Sequence, residues 1–142
     1  MYTETQYAVE YQENGDGSAI MFVPGSFSSG SSWRAMSTPL SERYRTITTS
    51  LSGYGRTQER RLPGGSHMDD ELDVLETVLQ KIDAPTHVVA HSYGAWAVLL
   101  LAIRRNCKLL SLTLLEPTAV SAIQAFCEMC ACLYSIMLVP AY

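Results

Sequence analysis

Thr86-His87-Val88-Val89-Ala90-His91-Ser92-Tyr93-Gly94-Ala95-Trp96-Ala97-Val98 is the stretch that decides the fold. A β-branched apolar run ends directly at Ser92, and a run of helical length, about Tyr93 to Arg105, follows without a linker. Small residues stand two positions before the serine, at Ala90, and two after, at Gly94. This is the pattern of a nucleophile elbow, G-x-S-x-G with Ala in the first place. The small residues are needed because strand and helix nearly touch across so tight a turn. The Ser92 hydroxyl then projects above a sheet at a helix N-terminus, where backbone N–H groups and the dipole favour developing negative charge.

Outward from this turn, short β-rich runs alternate with helical ones, the signature of a mostly parallel α/β sheet flanked by helices. Strands are expected at about Tyr7 to Tyr11, Ser18 to Val23, Tyr44 to Thr49, His87 to Ala90 and Leu109 to Leu115. Helices are expected at about Ser31 to Leu40, Met68 to Ile82 and Tyr93 to Arg105. In the second helix Leu72, Leu75, Val78, Leu79 and Ile82 recur every three or four residues, while Asp69, Asp70, Glu71, Asp73 and Glu76 are expected to face outward. Asn14-Gly15-Asp16-Gly17 by itself suggests a tight hairpin between its flanking strands.

Two further loops extend the pattern. Pro24-Gly25-Ser26-Phe27-Ser28-Ser29-Gly30-Ser31-Ser32-Trp33 runs from a strand into a helix, and Leu51-Ser52-Gly53-Tyr54-Gly55-Arg56-Thr57 follows the next strand. With the elbow, these blocks resemble the α/β-hydrolase family, from Ser18 to about Pro117, in the family's order and near its usual spacings. The resemblance implies a three-layer sandwich in which Ser92 is the nucleophile. It implies one oxyanion donor from the backbone N–H of Tyr93 and a second from Ser26, which follows Pro24-Gly25 where the family often has His-Gly. The family usually has an Asp at the place of Ser50, and the glycine-bearing loop after it is assigned a structural role near the site.

A serine needs a base to take its proton and an acid to orient that base. In this fold the partners follow the nucleophile. Only Glu116 and Glu128 follow Ser92 as acids, and no histidine does. Glu116, at the end of the last expected strand, is the candidate acid. Of the earlier histidines, His91 is expected on the opposite side of the turn, His87 at a strand end and His67 at a helix entry. The resemblance therefore implies the front part of a hydrolase, ending shortly after the sixth family strand and before a cap, two more strands and the remaining catalytic residues. Residues 1–116 read as the core and residues 117–142 as an apolar tail or the start of a cap. Leu109 to Leu115 would then be an exposed edge, open to self-association unless the tail or a second copy covers it.

Composition bounds the rest. With 142 residues the chain is one domain, and a 17% charged fraction, against about 25% in ordinary soluble domains, means more burial or reliance on a partner. From Ser111 to Tyr142 only Glu116 and Glu128 are charged. A net charge of -4 without a basic stripe excludes phosphate-neutralising nucleic-acid binding. The apolar run Ala95–Ile103 is about half the length of a bilayer span. Met1 to Tyr11 shows no signal-peptide pattern, so a cytoplasmic setting with reduced thiols is expected. Cys107, Cys127, Cys130 and Cys132 lack the turn context of a zinc site and read as buried thiols. No cofactor or metal is expected, and the family resemblance implies a small-molecule substrate such as an ester or amide. Trp33 and Trp96 read as helix residues against the sheet, with Trp96 also placed to edge a pocket.

Overall fold

The computed structural model describes residues 8–64, 68–118 and 135–139. Six strands form one sheet: β1 (Gln12–Asn14), β2 (Ala19–Val23), β3 (Arg45–Thr48), β4 (Thr86–His91), β5 (Leu109–Leu115) and β6 (Ser135–Val139). Their spatial order is β1-β3-β2-β4-β5-β6. Every neighbouring pair is parallel except β1 with β3. A 3-10 turn, Gly30–Trp33, leads into helix α1 (Arg34–Leu40); α2 (Met68–Ile82) and α3 (Ser92–Arg104) complete the flanking layers. The mostly parallel α/β architecture read from the sequence is the one observed.

Alternation along the strands sends side chains to both faces. Met21, Val23, Ile47, Val88, Ala90, Leu112 and Leu114 join one core with Leu72, Leu75, Val78 and Ile82 of α2 and Ala95, Val98, Leu99 and Leu101 of α3. Phe22 points the other way, is fully buried, and meets Trp33 with ring centroids 5.4 Å apart. The second face is closed over β2, whereas along β4 the alternate residues His87, Val89 and His91 stay half-buried among the described residues. Burying each large apolar residue of α2 is worth about 2 kcal/mol. The acidic first turn, Asp69 to Glu71, adds less than about 1 kcal/mol through the helix dipole. Packing therefore holds α2.

The structure corrects four sequence expectations. Of the strand expected at Tyr7 to Tyr11, Tyr7 lies outside the described residues and Ala8 to Tyr11 form no regular strand; β1 is the exposed triplet Gln12–Asn14. It is held by pairing with β3, so its own propensity mattered little. The Asn14–Gly17 turn does not close a hairpin, because β3 lies between β1 and β2. Glu71 does not face outward but is fully buried; its carboxylate accepts the Ser52 backbone N–H at 2.9 Å. Finally, β5 is not an edge. Residues 135–139, within the apolar tail, pair with it in parallel from Ser111↔Ser135 to Leu115↔Val139.

A charged seam ties α2 to the end of α3. Arg105 reaches Glu76 at 2.7 Å and Asp73 at 3.1 Å, and Arg60 lies 3.6 Å from Asp73.

Candidate active site

Strand β4 ends at His91 in extended conformation (φ -120°, ψ 139°), and α3 begins at the next residue. Between them the backbone turns sharply: Ser92 has φ +52°. A positive φ in a residue with a side chain is strained, and such residues concentrate where function holds them. The bend is possible because its flanks are small. A Cβ on Gly94 would fall inside the 3.0 Å contact limit of the Pro24 carbonyl oxygen. A Cβ on Gly25 would meet Ser92 Cβ at 3.1 Å and His91 Nδ1 at 3.3 Å. The two glycines let the loop after β2 lie directly against the elbow.

Ser26 follows that contact and is exposed. Its N–H donates no hydrogen bond to another described residue, which leaves it free to serve a ligand. Phe27 has φ +58° and is 94% exposed, with its ring edge-on to Tyr54 at 6.2 Å. Phe27, Tyr54, Ser28, Ser29, Ser31 and Ser32 border an open depression of about 520 Å³. Tyr93 is half-buried; burial, and then the charge of Glu71, push its phenol upward. The Ser92 hydroxyl has no hydrogen-bond partner among the described residues.

The other candidates separate by position. His91, expected across the turn from the serine, borders the same glycine, and its Nε2 lies 3.4 Å from Glu116 Oε2. Glu116 is exposed at the end of β5 with φ +45°. The pair could not be read from sequence because it depends on the β4–β5 register, His91↔Leu115. His87 bonds Ser111 at 2.7 Å across the same two strands and sits at the opposite strand end from Ser92. Trp96 is half-buried and packs against the core. His67, Glu128, Cys127, Cys130 and Cys132 lie outside the described residues. Cys107 is half-buried, and burial raises its thiol pKa. Among the described residues no group of three or more His, Cys, Asp or Glu is arranged to hold a metal. No described helix is long and apolar enough to cross a membrane.

Residues that sequence reasoning missed are Glu10 and Glu71, both buried behind the loops. Glu71 leaves Oε1 without a partner, and burial raises its pKa. Glu59, gripped by Arg61, is held down to about 2.

Residues 20–138 match the model of the alpha/beta hydrolase family. The chain belongs to that family. This alpha/beta hydrolase is 34% identical over 107 residues to the Arabidopsis thaliana protein named "Probable lysophospholipase BODYGUARD 2". The alignment takes in 69% of this chain and 22% of that protein. Among solved structures it is similar to a thermophilic esterase from Thermogutta terrifontis (TM-score 0.72, 22% identity, 83% of this chain, 43% of that one). It is also similar to a bromoperoxidase from Bacillus anthracis (TM-score 0.73, 20% identity, 82% and 42%). An epoxide hydrolase from Vigna radiata superposes with TM-score 0.70 at 22% identity, over 85% and 46%. The alpha/beta hydrolase chain thus spans less than half the length of these structures and about a fifth of the curated relative.

Proposed function

We propose that this chain is the nucleophile-bearing part of a serine hydrolase that acts on a small-molecule ester, amide or similar carbon–heteroatom bond, in a cytoplasmic setting. The observation that carries the reading is the strained Ser92, φ +52°, at the junction of β4 and α3. Its Oγ attacks the carbonyl carbon as its proton leaves to a base. The carbonyl π electrons move to oxygen, and the N–H groups of Tyr93 and Ser26 receive the oxyanion. Collapse expels the alcohol or amine, which takes up a proton, and leaves an acyl group on Ser92. Water then attacks the acyl carbon, releasing the acid and restoring the hydroxyl. In this reading Glu116, at the end of β5, is the acid that orients the base. Residues 1–116 form the functional core in this reading, with residues 117–142 closing the sheet or entering a cap.

A second reading is favoured by the surroundings of Ser92, whose hydroxyl bonds to no described residue. Here the elbow is scaffold only, and the apolar tail mediates self-association. A fluorophosphonate probe separates the two. Stoichiometric labelling of the folded chain, abolished by Ser92→Ala, is expected from the hydrolase. A folded chain that stays unlabelled selects the second reading.

A further inference from the structure

The loop that carries Ser26 is anchored at two places. At one end Gly25 lies against Ser92 and His91; at the other, the Gly30 N–H donates to Ser50 Oγ at 2.8 Å. The second anchor does not end at Ser50. The Ser50 hydroxyl donates its proton to Glu10 Oε2 at 2.5 Å, and the same oxygen accepts the Arg56 N–H at 3.1 Å. A hydroxyl has one proton and two lone pairs. Committing the proton to a carboxylate fixes the rotor, so that a lone pair faces the Gly30 N–H.

Glu10 itself has little freedom. Its N–H donates to Thr57 Oγ1 at 3.0 Å, and its carbonyl accepts Thr49 Oγ1 at 2.8 Å. Thr57 Oγ1 in turn donates to the Ser50 carbonyl at 2.7 Å. The residue is only 8% exposed. The neighbouring loop is shaped around its carboxylate, since a Cβ on Gly55 (φ +54°) would collide with Glu10 Oε2. Gly30 is equally confined, with a hypothetical Cβ only 2.9 Å from the Thr49 carbonyl oxygen. One buried carboxylate, delivered from the segment before β1, therefore joins the loop of residues 50–57 to the far end of the loop of residues 25–30. Glu10 lies outside residues 20–138, the part that matches the family model.

We propose that Glu10 is a positioning residue: through Ser50 it sets the loop that presents the Ser26 N–H to the carbonyl oxygen of a substrate held at Ser92. This rests on the hydrolase reading above. Displacing a catalytic donor by even about 1 Å costs on the order of 100-fold in rate, so loss of the anchor shows first in the reaction of Ser92.

The test measures the second-order rate of fluorophosphonate labelling at Ser92 in the full chain, with thermal unfolding of each variant as the folding control. Glu10→Ala and Ser50→Ala are each expected to slow labelling by roughly tenfold or more. The double variant is expected to be no slower than either alone, because both break one chain of bonds. Glu10→Gln, whose amide oxygen can accept both donors, is expected to label within about twofold of the wild type. A folded Glu10→Ala that labels at the wild-type rate overturns the proposal, as do losses that multiply in the double variant. Should Glu10→Ala fail to fold, Ser50→Ala carries the comparison, since it leaves Glu10 bonded to Arg56. A wild-type chain that never labels overturns the hydrolase reading and the role of Glu10 together. A labelled wild type with an indifferent Glu10 overturns the positioning role alone.

Discussion

Gly94 sits directly beneath the Pro24 carbonyl, so close that a Cβ at position 94 would breach the contact limit with that oxygen and stand 3.0 Å from Val23 Cγ1. Backbone, not a flexible side chain, blocks the space. Gly94→Ala is therefore expected to destabilise the chain by about 1–3 kcal/mol, the usual cost of overpacking. Urea denaturation of the two proteins measures it; equal midpoints would mean that the loop after β2 moves away freely.

Ser92 gives the opposite effect. Its φ of +52° costs an L-residue conformational strain that glycine does not carry. Ser92→Gly is expected to leave stability unchanged or raise it by up to about 1 kcal/mol, because the gain from relieved strain is partly cancelled by the added freedom of the unfolded chain. The same variant should lose all labelling by a fluorophosphonate. A clear loss of stability would indicate that the serine side chain makes contacts that hold the bend.

Buried Glu71 predicts a pH dependence. Burial is the main cause of its raised pKa, with the Ser52 N–H acting the other way. The folded state therefore favours the protonated acid more than the unfolded state does. The resulting stability is fully present below the ordinary glutamate value of 4.5 and is lost as pH rises through the higher folded value. Glu71→Gln removes this loss. The variant minus wild-type difference in unfolding free energy is expected to grow with pH above 4.5 and then level off. A difference independent of pH would show that Glu71 is charged in the fold.

Strand β6 makes a prediction about association. Its backbone pairs with β5 from Ser111↔Ser135 to Leu115↔Val139. Met137→Pro puts a residue that does not fit a regular strand in the middle of this pairing. The variant is expected to form concentration-dependent oligomers in sedimentation velocity at concentrations where the wild type sediments unchanged.

Much of this architecture is legible in the sequence where one segment carries the signal. Val88 to Gly94 specifies a strand, a bend and a helix by local pattern, and β2, β5 and α2 fall within a few residues of their expected limits. What was hidden depends on partners far along the chain. Gln12–Asn14 has no strand propensity and becomes one only because β3 offers an edge. The apolar run that contains β6 reads equally as strand or helix until β5 is placed beside it. Glu10 and Glu71 look like surface acids, and only the loops of residues 50–57 supply the donors that make their burial tolerable. His91 and Glu116 meet because two strands end level with each other.

The order in which the sheet is filled matters at the ribosome. Translation delivers β5 well before β6, and residues 116–139 must be added before the two can pair. At about 5–20 residues per second this takes roughly one to five seconds. During that interval the emerging polypeptide presents an unzipped row of amides and carbonyls, so its yield in the cell should depend on holdase chaperones acting while synthesis continues.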